Sequence, residues 1–119
     1  MKHLRTSKRA GKFEVLAATR MAQAAVMVLK PGDTSDHSIS NEHPRSEQWL
    51  LVISGAGRAT ASRSGKRRSV RLGPGSLLVI ERNELHQIVN AGRTPLRTIN
   101  LYVPPAYDPR GNVRARAKR

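Results

Sequence analysis

The sequence predicts an all-β domain, either a small antiparallel β-barrel or a jelly roll. Two observations carry this prediction: the apolar segments are short, and turn residues separate them at intervals of about eight to twelve residues. No segment shows a strong helical pattern. With 119 residues, the chain is long enough for one compact domain with a modest core.

A series of short segments is predicted as strands, each ended by turn residues or by a polar stretch. They cover residues 13–17, 21–29, 49–53, 58–63, 69–72, 77–80, 86–90 and 96–103. The second could be helical on composition alone, but Lys30-Pro31-Gly32 ends it abruptly, and its Val, Met and Leu residues favour a strand. Residues 64–68 are predicted to form a hairpin loop. Pro104-Pro105 ends the sheet, because proline cannot donate to a ladder.

The formal net charge is +14, and most of it lies in the termini. Ten of the 22 lysines and arginines fall in residues 1–12 and 109–119, which contain no acid. We therefore divide the chain into a basic N-terminal arm (1–12), a barrel domain (13–107) and a basic C-terminal tail (108–119). The favoured interpretation is that the basic ends aid solubility, and weak non-specific binding of nucleic acid or another polyanion is the alternative. Few aromatic rings are available to stack on bases.

The chain contains no cysteine, so disulfides and thiolate metal sites are excluded. No apolar run approaches the length of a membrane span. No apolar segment follows the basic N-terminus, as it would in a secretory signal. We expect a cytoplasmic protein without membrane association. Phosphate loops, dinucleotide-binding turns and nucleophile elbows are also missing from the sequence.

Two segments of the chain combine a histidine with an apolar strand. Residues 41–55 begin with polar groups, continue as the apolar run 49–53 and end at a turn glycine. Residues 75–90 contain a second apolar strand, a turn and then a histidine. Polar groups at the mouth of a strand that enters the core are where a β-barrel usually holds its ligand. The sequence therefore predicts a binding site formed by these two segments.

Over residues 22–107 the chain resembles the cupin superfamily, whose members carry two such segments as paired signatures. Aligned on Gly55, the first signature places its second histidine at His43. Its first histidine and its glutamate fall on Asn41 and Gln48, and both are departures from the superfamily pattern.

The second cupin signature is matched at all of its spacings, with Gly75, a turn at residues 81–83, His86 and Asn90. The resemblance implies a pocket for a small molecule, often centred on a metal ion. Both faces of the strand at residues 49–53 are apolar, so we also expect a homodimer in which a partner subunit covers the outer face. The superfamily includes dioxygenases, isomerases, epimerases, decarboxylases and plain binding modules, so the fold does not fix the reaction.

His43, Gln48 and His86 are the candidate metal ligands. Neutral imidazole is a common ligand of first-row metals, and a cupin usually adds a carboxylate where Gln48 stands. An amide oxygen can coordinate a cation but brings no negative charge, so we expect weaker binding of a divalent ion such as Mn, Fe, Zn or Ni. The alternative is that both histidines are hydrogen-bonded pocket residues.

Three further residues are candidates for additional ligands. Asn41 occupies the first histidine position, and His37 lies in a polar loop from which it could fold over the pocket. Glu47 would replace Gln48 if the strand register differed by one residue. We prefer the register that turns Gln48 inward, because a one-residue slip reverses every facing in a strand.

Three functions are compatible with these features. The first is a cupin that binds a small molecule through a divalent metal, with isomerase-like or dioxygenase-like chemistry unassigned. The second is a metal-free, non-catalytic module for a sugar or a carboxylate. The third is a polyanion-binding protein that acts through its basic termini.

Overall fold

The computed structural model describes residues 1–7 and 11–114, and within these ranges its regular structure consists of strands without a helix. The strands are β1 (Phe13–Ala18), β2 (Gln23–Leu29), β3 (Glu47–Ser54), β4 (Gly57–Arg63), β5 (Lys66–Leu72), β6 (Leu77–Ile80), β7 (Leu85–Val89) and β8 (Leu96–Val103). The all-β prediction is therefore confirmed.

The strands form two antiparallel sheets that pack face to face as a jelly roll. The first has the order β1-β2-β8-β3-β6 and the second the order β5-β4-β7. No ladder joins β5 to β6 within the described residues, so the sheets do not close into a continuous barrel along this side. A cavity opens along this side of the molecule.

Strict alternation along β3 places the core between the sheets. Gln48, Leu50 and Val52 are buried, whereas Trp49 and Leu51 are exposed on the outer face. This is the facing that the preferred register predicted for β3. The main apolar cluster between the sheets consists of Met27, Leu29, Leu50, Val52, Ala59, Leu72, Ile88 and Leu96.

The hairpin between β4 and β5 differs from the prediction of a loop at residues 64–68. Both strands continue to a two-residue turn, Ser64-Gly65, and β5 already begins at Lys66. The turn residues have positive φ values of 52° and 75°, the backbone geometry of a tight hairpin turn whose twist matches the strands. The basic residues at positions 66–68 therefore belong to a strand and alternate between its two faces.

The polar segment between β2 and β3 runs along the free edge of β7. Thr34 and Ser40 form isolated bridges to Val89 and His86. The backbone N–H of His86 donates to the carbonyl of Ser40 at 2.8 Å. This pairing extends the second sheet and leads the chain directly to His43.

Both termini contact the domain where the structure describes them. Arg97 donates to the Thr6 carbonyl at 3.2 Å, and the Arg114 N–H donates to the Ala106 carbonyl at 2.9 Å. Residues 108–114 thus fold back against the domain, while residues 8–10 and 115–119 of the predicted arm and tail lie outside the described residues. Within the described part of the chain there is no helix of the length and apolarity needed to cross a membrane.

Candidate functional site

A cavity of about 410 Å³ lies between the two sheets, beside β1 and β2. Its size is within the usual range of small-molecule pockets. Gln48 of β3, Met27 of β2, Tyr102 of β8 and His86 of β7 line it, together with His43 from the segment before β3. Elements that are distant in sequence therefore meet at one pocket.

The two histidines are buried side by side in this pocket. The centroids of their rings lie 5.0 Å apart. The Nδ1 of His43 lies 3.4 Å from the Ser46 carbonyl, and the Nδ1 of His86 lies 3.2 Å from the Glu84 carbonyl. Because a carbonyl oxygen only accepts, each Nδ1 carries a hydrogen, and a neutral ring bonded in this way has its free lone pair on Nε2. This is the tautomer in which Nε2 can bind a metal ion or accept from a ligand.

The environment of His86 favours its neutral form. Burial lowers the pKa of His86, and the neighbouring His43 acts in the same direction, against an opposing effect of the bond to the Glu84 carbonyl. A buried imidazole loses hydration when it becomes charged, which is the physical cause of the main effect.

Gln48 is held by a chain of hydrogen bonds that begins at a backbone carbonyl. The Thr98 hydroxyl donates to the Met27 carbonyl at 3.3 Å, so its oxygen is left to accept from Asn100 Nδ2 at 3.0 Å. Asn100 therefore presents Oδ1 to Gln48, whose Nε2 donates to it at 2.8 Å. The direction of every bond follows from the first, since a carbonyl cannot donate.

The consequence is an unpartnered acceptor at the pocket. Gln48 is 4% exposed, and its Oε1 has no hydrogen-bond partner among the residues that the structure describes. Buried polar atoms in folded proteins are nearly always paired, so this oxygen calls for a donor or a cation. The sequence did not indicate Thr98 and Asn100, although polar residues at every second position of an otherwise apolar strand are a signal for them.

The three additional candidates lie away from the cavity wall. Asn41 accepts from the backbone N–H of His43 at 2.8 Å and donates to the Glu84 carbonyl at 3.0 Å, so it positions the segment that carries His43. Glu47 accepts from the Trp49 indole at 3.0 Å on the outer face of β3. His37 is exposed in the loop. Their roles as ligands stay predictions.

Two tyrosines and the carboxylate of Glu42 form a second wall of the pocket, and sequence reasoning missed the two tyrosines. The Tyr102 ring packs edge-on against His43 with centroids 5.0 Å apart. Tyr107 donates its hydroxyl to Glu42 at 2.6 Å. Burial raises the pKa of both phenols above their usual range, so they remain protonated and can act as donors.

No group of three or more His, Cys, Asp or Glu side chains that could hold a metal ion occurs among residues 1–7 and 11–114. The three predicted ligands at the pocket offer two imidazoles and one amide oxygen, while the Glu42 carboxylate is paired with Tyr107. The three ligands are a neutral set, which can bind a divalent cation or accept hydrogen bonds from an organic ligand.

Solved structures with the same architecture support this description of the fold. A Bacillus halodurans protein is 23% identical, with a TM-score of 0.75 over 91% of this chain and 80% of its own. KdgF from a Halomonas species is 24% identical, with a TM-score of 0.64 over 78% of this chain and 77% of its own. Oxalate decarboxylase from Lactobacillus farciminis, solved as a formate complex, is 26% identical with a TM-score of 0.64.

The match to oxalate decarboxylase covers 75% of this chain but only 26% of that larger protein. The comparison with curated proteins finds no match to this sequence. A family model described as Cupin domain matches residues 25–102, which include most of β2, all of β3 to β7, most of β8 and both histidines of the pocket. The paired signatures, the jelly roll and this match agree, and the chain belongs to the cupin family.

Proposed function

We propose that this protein binds a small molecule in the pocket between its sheets, around a divalent metal ion held by His43, Gln48 and His86. The observation that carries the proposal is the buried Oε1 of Gln48, which lacks a partner among the described residues and lines the same cavity as the two histidines. A cation at this position would satisfy the orphaned oxygen.

The donor set fits such an ion. Imidazole nitrogens suit Mn, Fe, Zn and Ni, and an amide oxygen is a neutral ligand that these ions accept. Because no ligand carries a charge, we expect weaker binding than in a cupin with a carboxylate at this position. A bound ion supplies Lewis-acid polarisation of a coordinated oxygen. The protein itself orients the ligands through the Asn100 chain and offers the protonated phenol of Tyr102 beside them.

The comparisons support a small-molecule function without naming a reaction. Oxalate decarboxylase and an oxalate oxidase are among the structural neighbours, at 26% and 25% identity. Both matches cover less than half of the neighbour, so the substrates of those proteins are not transferred to this chain. Isomerase-like or dioxygenase-like chemistry is unassigned.

A metal-free pocket is the second candidate, favoured because no group of three or more His, Cys, Asp or Glu side chains that could hold a metal ion occurs among the described residues. In this case a hydroxyl of a sugar, or another donor on the ligand, would bond to Gln48 Oε1. We also propose that the protein acts as a homodimer, with the exposed apolar face of the first sheet as the interface.

The metal proposal is tested by replacing the amide with a carboxylate. Gln48→Glu should raise the affinity for Mn²⁺, Fe²⁺ or Zn²⁺ by on the order of tenfold, because a carboxylate attracts a divalent cation where an amide offers only a dipole. In chelator the variant should be less stable than wild type, since the new carboxyl group loses hydration on burial. Calorimetric titration and thermal shift of protein without a histidine tag measure both effects.

Glu47→Gln is the matched control, because the Glu47 side chain bonds to Trp49 outside the core. It should leave the metal response unchanged. A loss of response in Glu47→Gln without a gain in Gln48→Glu would contradict the assigned ligand. If neither wild type nor Gln48→Glu binds any of the ions, the metal-free pocket replaces the proposal.

A further inference from the structure

A second cavity, of about 850 Å³, opens on the side where β5 and β6 are not joined. His86 and Ile88 belong to its wall and also to the wall of the first cavity. The two cavities therefore adjoin at the candidate site, and a ligand that reaches His86 through the second cavity must pass the open side of the jelly roll.

The deep part of this cavity is apolar. Val70 and Leu72 contribute from β5, Leu78 and Ile80 from β6, and Ile88 from β7. Leu72, Ile80 and Ile88 are buried, so these walls are fixed by the core. Such a surface accepts the hydrocarbon or ring portion of a small molecule.

The mouth of the cavity is basic. Because side chains alternate along a strand, two of the three basic residues at positions 66–68 point to the cavity. Arg68 and Lys66 share the inner face of β5 with the buried Leu72, whereas Arg67 lies on the outer face. Four basic residues and one acid line the cavity, namely Arg63, Lys66, Arg68, Arg71 and Glu84.

Arg68 lies in register with the candidate site. Ala61 of β4 pairs with Arg68 on one side and with His86 on the other. Two strand spacings, about 10 Å, therefore separate the backbone of Arg68 from that of His86. The small side chain of Ala61 leaves the space between them open.

The charges at the mouth are not all neutralised by the protein. Arg63 pairs with Glu81 at 3.0 Å, and Glu84 accepts from the backbone N–H of Glu81 at 3.1 Å. Within the described residues, neither Arg68 nor Lys66 has a hydrogen bond or ion pair through its side chain. Arg68 and Lys66 thus face the cavity with their charges available.

We infer that the second cavity binds a ligand that has an apolar body and an oxyanion, either a carboxylate or a phosphate. Arg68 binds the oxyanion at the mouth of the cavity, and Lys66 is a second cation beside it. A guanidinium presents paired N–H donors that match either group. The apolar body lies against Leu72, Leu78 and Ile88, and its far end is directed towards His86. This inference deepens the proposed function and rests on it for the group at that far end. The binding of the oxyanion by Arg68 depends only on the second cavity.

The experiment compares three probes of one shape: 2-naphthoate, 2-naphthyl phosphate and the neutral 2-naphthamide. Binding is followed by amide chemical shifts in NMR titrations of the full chain. We expect saturable binding of at least one anionic probe with shifts along β4, β5 and β7, and at least about tenfold weaker binding of the amide, since a charged hydrogen-bond partner is lost. The probe that binds more tightly distinguishes a carboxylate ligand from a phosphate ligand.

Arg68→Gln should weaken binding of the preferred anion by about tenfold or more and leave 2-naphthamide binding unchanged. Arg67→Gln removes the same charge from the opposite face of the same strand. It should change neither the binding of the anion nor the binding of 2-naphthamide. Absence of saturable anion binding, equal binding of the amide, or equal losses in both variants would overturn the inference.

The metal titration keeps the two proposals separate. Arg68→Gln should bind metal like wild type, because Arg68 is not among the proposed ligands. If no metal binds but Arg68→Gln still loses the anion, only the metal proposal fails. If metal binds but Arg68→Gln and Arg67→Gln bind the anion equally well, only the inference that Arg68 binds the oxyanion fails.

Discussion

At the scale of single residues, the site depends on a hydrogen-bond chain whose direction is fixed at the Met27 carbonyl. Thr98, Asn100 and Gln48 each donate towards the carbonyl end. Thr98 and Asn100 each also accept from the next residue of the chain, so only Gln48 Oε1 is left over. In a buried site of low polarity, reversing such a chain would leave several groups unpaired at once. The chain therefore holds an acceptor at the pocket without a charge.

Thr98→Val tests this hydrogen-bond chain at a residue that is two hydrogen bonds away from Gln48. Valine keeps the shape but removes the hydroxyl, so Asn100 loses its acceptor and no longer has one enforced orientation. We expect a loss of about 1–2 kcal/mol in the free energy of unfolding. Metal affinity should fall several-fold, because the Gln48 oxygen is no longer held towards the pocket. Urea unfolding and calorimetry measure the two effects.

The control for this variant is Thr60→Val on β4. The Thr60 hydroxyl pairs with Ser69 on the second sheet at 2.8 Å and has no connection to Gln48. Its metal affinity should equal that of wild type. Equal affinities in Thr98→Val and Thr60→Val would show that the Gln48 oxygen does not depend on the chain.

Residues of the site were predictable from sequence only where they lie within one of the two signature segments. The spacing from Gly55 gave Gln48 and its inward facing, and the spacing from Gly75 gave His86. Tyr102 reaches the pocket, and Asn100 reaches Gln48, through the pairing of β3 with β8, about half the chain away. A single sequence does not reveal which strands pair. Tyr107 reaches it through the segment after β8, in which no periodic pattern exists to be found.

At the scale of elements, the two signature glycines serve different purposes. Gly55 has φ of +89°, and a Cβ there would lie 2.3 Å from the Pro95 carbonyl oxygen and 2.9 Å from the Leu96 Cα. Gly75 has nearly the same φ, +87°, but a Cβ there would meet nothing within 4 Å. Gly55 therefore allows the β3–β4 turn to pack on the start of β8, whereas Gly75 only provides a turn conformation.

Alanine at these two positions separates the steric cost from the conformational cost. Gly75→Ala should lower the free energy of unfolding by about 1–2 kcal/mol, the cost of a left-handed conformation for an L-residue. Gly55→Ala should cost roughly 1–3 kcal/mol more, because the neighbouring atoms are backbone and cannot rotate away. Urea denaturation measures both, and equal losses would contradict the close packing at Gly55.

The elements were predicted well where proline and glycine stand beside an apolar run, after β2 and before β6. The exception is β5, where the basic residues 66–68 were assigned to a loop. Side-chain polarity is a poor guide there, because the inner face of β5 opens onto the second cavity instead of the core and can carry cations. The Ser64-Gly65 turn, with both φ values positive, sets the hairpin length instead.

At the scale of the whole molecule, one face of the first sheet is apolar and uncovered by the described residues. Its large side chains are 39–56% exposed: Trp49, Leu51 and Ile53 on β3, Leu77 and Val79 on β6, and Leu101 on β8. Leu51 pairs with Leu77, and Trp49 pairs with both Val79 and Leu101, so the patch is continuous. Continuous apolar patches of this kind are uncommon on monomers.

Leu77→Lys tests whether this patch is the interface of the proposed homodimer. Wild type should sediment at twice the monomer mass. In a two-fold symmetric interface each substitution occurs twice, once in each subunit. Two lysines buried in the patch should therefore raise the dimer dissociation constant by about 30-fold or more. Stability of the monomer should change little, because Leu77 is more than half exposed.

Leu85→Lys provides the matched control, since Leu85 is also exposed, at 42%, but lies on β7 of the other sheet. Its sedimentation should be that of wild type. A dimer that resists Leu77→Lys but dissociates in Leu85→Lys would move the interface to the second sheet. A wild-type monomer at all accessible concentrations would leave the patch without a partner copy and contradict the homodimer. A dimer through the first sheet would lie beside the second cavity, because Leu77 and Val79 belong to the patch and also to the wall of that cavity.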